Sequence, residues 1–200
     1  LIKKDMYNFV NNYLSYILLN GNIIILILFS SSKFIDDNSL VVSLRLYLYI
    51  LGILIVIFNL VISPYLFKNS NNPEIFNKIS KFIELIFISS LLFIFIVLVS
   101  FDWLLDISFS FSLISGRSSI IYLSQILILG FPFVILNYFF TKKLLSINDF
   151  KSANIVNLLA SLLFFLLVSL GDKKNIELIC YSFLFTNLIQ FFIFNYLIKN

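Results

Sequence analysis

Of 200 residues, 60% are hydrophobic and 12% are charged, with a formal net charge of +4, whereas a soluble domain carries about a quarter of its residues as charged side chains. So little polar material cannot coat a globule, and a soluble fold is excluded. With no His, one Cys (Cys180) and one Met (Met6), the usual zinc, haem and iron–sulfur ligand sets are excluded as well, no cofactor is expected, and no disulfide can close within the chain.

The apolar residues fall in blocks of about 20, the length that carries a helix across a hydrocarbon core of about 30 Å. Strands would need the polar–apolar alternation of a closed barrel, and the blocks do not alternate. The expectation is an all-α integral membrane bundle of six spans: 9–32, 40–66, 78–100, 118–141, 152–171 and 175–198. Leu1 opens the chain with neither an initiator Met nor a visible signal peptide, as expected of a fragment.

The first block carries a short polar stripe of Asn11, Ser15 and Asn22. In the second, Arg45, Tyr49, Gly52, Asn59 and Ser63 lie within about 40° of one line at helical spacing, while the remaining faces are almost wholly apolar. Arg45 stands about five residues into its span, where an ionisable group costs a few kcal/mol unless it reaches water or a partner. Two readings are open. The guanidinium snorkels to the headgroups and the small polar residues pack on a neighbouring helix, or it offers a bidentate fork to a phosphate or carboxylate in a hydrated chamber.

Before the third block, Asn72, Pro73 and Glu74 read as an N-cap, first helical residue and dipole-compatible acid, placing a helix start near Pro73. Phe101 and Trp103 fall where that span meets water, and residues 108–119 form a Ser-rich loop or interfacial helix. The fourth block contains Gly130 and Pro132, a kink or hinge signal, and Gly52 is a second hinge candidate. The fifth repeats the polar stripe with Asn154, Asn157 and Ser161. Interhelical hydrogen bonds account for either short stripe alone, and three striped helices together suit a hydrophilic cavity.

With the N-terminus inside, nine Lys fall at cytoplasmic ends against four basic residues outside, so a cytoplasmic N-terminus is expected. The basic residues stand singly or in pairs beside apolar blocks, which excludes a nucleic-acid surface and leaves the lipid bilayer as the first partner. No enzyme is expected. Asp36 and Asp37 form a lone acidic pair on a short loop, and neither a Gly-rich phosphate loop nor a nucleophile elbow is present.

Arg45-Leu46-Tyr47, Gly52 and Ser63-Pro64-Tyr65-Leu66 resemble, without a gap, a segment of the MurJ/MviN-type lipid II flippases, part of the multidrug/oligosaccharidyl-lipid/polysaccharide exporter superfamily. The downstream order of loops and spans is similar to the second lobe of that family over nearly the whole chain. The resemblance implies a bacterial inner-membrane protein that moves a lipid-linked oligosaccharide pyrophosphate for peptidoglycan or polysaccharide synthesis, with Arg45 at the pyrophosphate and a second lobe, missing from this chain, across the cavity. Tyr49, Asn59 and Ser63 are then the accompanying substrate-binding residues. The alternatives are a polysaccharide-unit flippase or drug exporter of the same superfamily, and, in another class, a non-transporting membrane scaffold.

Overall fold

The computed structural model describes residues 10–11, 13–15, 17–31, 38–68, 117–171 and 175–199, together with 78, 81, 85, 87–88, 91–92, 94–96 and 99 of the third block. Expectations for Asp36, Asp37, residues 72–74, Phe101, Trp103 and the run from 108 to 116 fall outside them. The described residues are almost entirely helical and include no strand. Helix α1 is Gly21–Ser31, preceded by helical residues 10–11, 13–15 and 17–19 and a turn at Asn20. Helix α2, Asn38–Ile57, runs through a π turn at Phe58–Ile62 into α3, Ser63–Lys68, and is followed by α4, Arg117–Ser146, α5, Phe150–Leu170, and α6, Ile176–Lys199. Among the described residues, four helical stretches are long and apolar enough to cross a membrane: Val41–Lys68, Ser118–Ser146, Phe150–Leu170 and Ile176–Ile198. Those four correspond to the second, fourth, fifth and sixth expected spans.

Local chemistry sets the helix ends. Leu144 carbonyl accepts from Asp149 N at 2.9 Å and Leu145 carbonyl from Asn148 N at 3.1 Å, the paired closure of a Schellman turn. Asn148, at φ 62, occupies the left-handed position that Asn tolerates better than most side chains. The Asp149 carboxylate then accepts from Ser152 N at 3.2 Å and caps α5. Thus α4 ends and α5 begins within three residues, and α4 continues five residues beyond the sequence-expected end at 141. Asn175 caps α6 the same way, accepting from Leu178 N at 3.0 Å, with Glu177 in the favourable first turn.

Helix α4 is the hub, packing on α2, α5 and α6, while α1 leans on α5. Ser43 Oγ donates to Ile120 carbonyl and Tyr138 OH donates to Asn59 Oδ1, so α2 and α4 run parallel with residue numbers offset by 77 to 79. Tyr47, 1% exposed, meets Phe131 and Phe183 edge-on at 5.9 to 6.3 Å, a favoured aromatic geometry. The third block reaches this bundle through Ile94, buried in its core, and through Phe87, which stacks on Phe191. At Gly21 α1 comes up against α5, and a Cβ there would collide with Ser161 Oγ. Pro132 is buried inside α4 and denies the Ile128 carbonyl its helical donor.

Candidate functional site: a polar seam and an outward cationic face

The polar residues of the spans divide into two sets, one inside the bundle and one on its surface. Inside, Gln190 of α6 is the centre. Its Nε2 donates to Asn157 Oδ1 of α5 at 2.7 Å, and its Oε1 accepts from Asn137 of α4 at 3.2 Å and Asn22 of α1 at 3.4 Å. Thr141 and Asn157 pair at 3.3 Å, and Asn137 also donates to the Asn187 carbonyl at 2.9 Å. Nearby, Ser15 Oγ lies between Asn11 carbonyl and Asn154 Oδ1 and can give its one proton to either. Ser161 Oγ returns its proton to the Asn157 carbonyl of its own helix. In a medium without water, an amide must find such partners or bear a cost of several kcal/mol. Asn22 Oδ1 and Asn137 Oδ1 are buried acceptors with no partner among the described residues.

This seam gathers the stripes expected on the first and fifth spans. Asn22, Asn157, Ser161 and Ser15 are buried, Asn11 and Asn154 partly so, and the side chains of Asn22, Asn157, Ser15 and Asn154 bond between helices. In this conformation the two stripes hold helices together. Sequence reasoning passed over Asn137, Thr141, Asn187 and Gln190, although their spacing of three or four residues on α4 and α6 matches that of the stripes it did single out.

The stripe on the second span does not stay on one face. Arg45, Tyr49 and Gly52 are exposed, with Tyr49 at 71%, whereas Leu44, Tyr47 and Leu51 on the opposite side are buried in the core. Asn59 is half-buried against Tyr138 and Ser63 is buried. The π turn explains the break: one extra residue per turn withdraws the register by about 100°, so residues past Phe58 no longer follow the line drawn from Arg45. An ideal period of 3.6 carried no warning of it.

Depth also changes the reading of Arg45. The helical stretch Val41–Lys68 is 28 residues, about 42 Å long against a core of about 30 Å, so roughly 6 Å projects at each end when it is centred. On that centring Arg45, four residues inside the stretch, falls at the edge of the hydrocarbon core, and it is exposed on α2. At the other end of the same helix pair stand Lys68 of α3 and Lys142 and Lys143 of α4, with Lys151 at the start of α5.

Among the described residues no group of His, Cys, Asp or Glu could hold a metal ion. The fold and the seam define an all-α membrane bundle. Comparison with protein-family models, with curated proteins and with solved structures finds no match in any of the three.

Proposed function

We propose that the chain is one lobe of a bacterial inner-membrane flippase or exporter, with the Arg45–Tyr49–Gly52 face of α2 turned toward a second lobe and an anionic, lipid-linked pyrophosphate headgroup passing between them. The observation that carries the reading is the outward presentation of Arg45 and Tyr49 on a membrane helix whose opposite face is packed core. A cation at the hydrocarbon edge of an uncovered face is placed to meet phosphate, and a guanidinium grips two phosphate oxygens at once where Lys grips as a point charge. The resemblance of the Arg45–Leu66 segment to lipid II flippases supports the same substrate class. Gly52, whose Cβ position meets nothing within 4 Å, keeps the path beside Arg45 narrow in side chain and open to a bulky headgroup.

Asn59 and Ser63 leave this substrate path, since the π turn carries them into the bundle. Rocking of one lobe against the other supplies alternating access, with Pro132 and Gly52 as the places where backbone constraint is weakest. The test is headgroup binding and transport by the complete protein in proteoliposomes with Arg45→Ala and Arg45→Lys. Loss of about tenfold or more in affinity for the Ala variant, with partial recovery by Lys, is expected. Wild-type behaviour of both variants removes Arg45 from the mechanism. Single Cys substitutions at Tyr49, Gly52 and Val56 address the scaffold alternative, against the low background of the buried Cys180: labelling by a water-soluble thiol reagent supports a hydrated path, and protection from it supports a scaffold.

A further inference from the structure

The Lys-bearing end of the same helix pair carries a second cluster that the substrate path at Arg45 does not use. Lys142 Nζ stands over the ring of Tyr138 at 5.5 Å, within range of a cation–π attraction. The Tyr138 hydroxyl is committed as donor to Asn59 Oδ1 at 2.8 Å, and Phe58 meets the Tyr138 ring edge-on at 5.2 Å. Asn59 and Phe58 both belong to the π turn, a local distortion that recurs at functional sites. The turn has a local cost, and here it brings the Asn59 amide to the seam between α3 and α4, where its nitrogen is a donor not used in the bond to Tyr138.

We infer that this corner, formed by Lys142 of α4 with Tyr138 and Asn59, binds the phosphate of an anionic phospholipid headgroup in the leaflet at the Lys-bearing end. Three observations select a membrane-anchored ligand over free phosphate. Lys142 is four residues from the end of the Ser118–Ser146 span, which puts its backbone at the hydrocarbon edge when the span is centred, within reach of a headgroup. Beside the corner, Leu60 and Val61 are 73% and 64% exposed, an apolar flank on which an acyl chain can lie while its phosphate reaches Lys142. Lys68, Lys143 and Lys151 share this end, and clustered basic residues at a membrane surface attract anionic lipid.

The two cationic positions span the bilayer. With the 77- to 79-residue offset of α2 and α4, Arg45 is level with about Leu123, and Lys142 lies nineteen residues further along α4, about 28 Å and hence close to the thickness of the hydrocarbon core. One cation then lies toward each leaflet, Arg45 on the exposed face of α2 and Lys142 at the corner of α3 and α4. The inference stands on the Lys142 cluster and extends the translocation reading without depending on Arg45.

The experiment is retention of spin-labelled phosphatidylglycerol against phosphatidylcholine by the full chain in nanodiscs, for wild type, Lys142→Gln, Lys142→Arg and Arg45→Gln. Wild type is expected to prefer phosphatidylglycerol, Lys142→Gln to lose about fivefold of that preference, and Lys142→Arg to keep most of it. Asn59→Leu, which also removes the acceptor of Tyr138, is expected to reduce the preference in the same direction. Unchanged preference in Lys142→Gln overturns the site, and displacement of the lipid by millimolar inorganic phosphate alone overturns its lipid character. Arg45→Gln is expected to leave this preference intact, so failure of the Arg45 mechanism and failure of the Lys142 site read out separately.

Discussion

Replacing Gln190 by Leu removes the centre of the buried seam while keeping an apolar side chain of similar reach. The variant loses the bond to Asn157 at 2.7 Å and those from Asn137 and Asn22 at 3.2 and 3.4 Å. Side-chain hydrogen bonds between membrane helices average about 0.6 kcal/mol each, so three together come to about 2 kcal/mol. The loss is tempered for two partners, since Asn157 keeps Thr141 and Asn137 keeps the Asn187 carbonyl, and falls hardest on Asn22, for which Gln190 is the partner. Expressed as an equilibrium, the unfolded fraction rises about thirtyfold. Pulse proteolysis of the purified chain across a detergent-to-SDS titration measures the change, and a double-mutant cycle with Asn157→Leu isolates the shortest contact. A Gln190→Leu variant within about 0.5 kcal/mol of wild type, or a cycle with no coupling to Asn157, refutes the claim that this seam fastens α1, α4, α5 and α6.

The other expectations follow from single positions. Gly21→Ala drives a Cβ into Ser161 Oγ and is expected to cost about 1–3 kcal/mol, with Ser161→Gly restoring most of the loss in the same unfolding assay. Asn148→Val places a β-branched residue at φ 62 and is expected to destabilise by about 1–2 kcal/mol, whereas Asn148→Gly stays near wild type. Asp149→Ala removes the cap on Ser152 N and is expected to cost about 0.5–2 kcal/mol, visible as faster amide exchange in the first turn of α5. Gly52→Ala meets open space, so helix propensity alone predicts a gain of up to about 1 kcal/mol in stability. Transport by the same variant falls on the present reading, because the added methyl narrows the path beside Arg45.

Where periodicity is strong, the residues announced the structure: the expected break between 141 and 152 contains the turn at 147–149, and the expected end at 171 and start at 175 fall within one residue of the ends of α5 and α6. The polar stripes on the first and fifth spans were legible as stripes, yet not their destination. A stripe of Asn and Ser looks the same whether it faces water or another amide, and the partners that decide the matter, Gln190 and Asn137, belong to polar spacings on α6 and α4 that are ambiguous in the same way. The second span misled for a different reason. Its face was drawn at 100° per residue, and the π turn at Phe58–Ile62 has no composition signal, so Asn59 and Ser63 were expected beside Arg45 and stand elsewhere.

The inter-helix fastening around Gln190 consists of amides and hydroxyls that carry no net charge and do not titrate in the physiological range. A membrane potential does no work on neutral groups, and a pH gradient finds nothing there to protonate. The grip among these four helices therefore stays the same whether the cell is energised or collapsed. Among the described residues, fixed charge on the helix pair of α2–α3 and α4 stands near its two ends, at the Lys residues on one side and Arg45 on the other, and a voltage acts there.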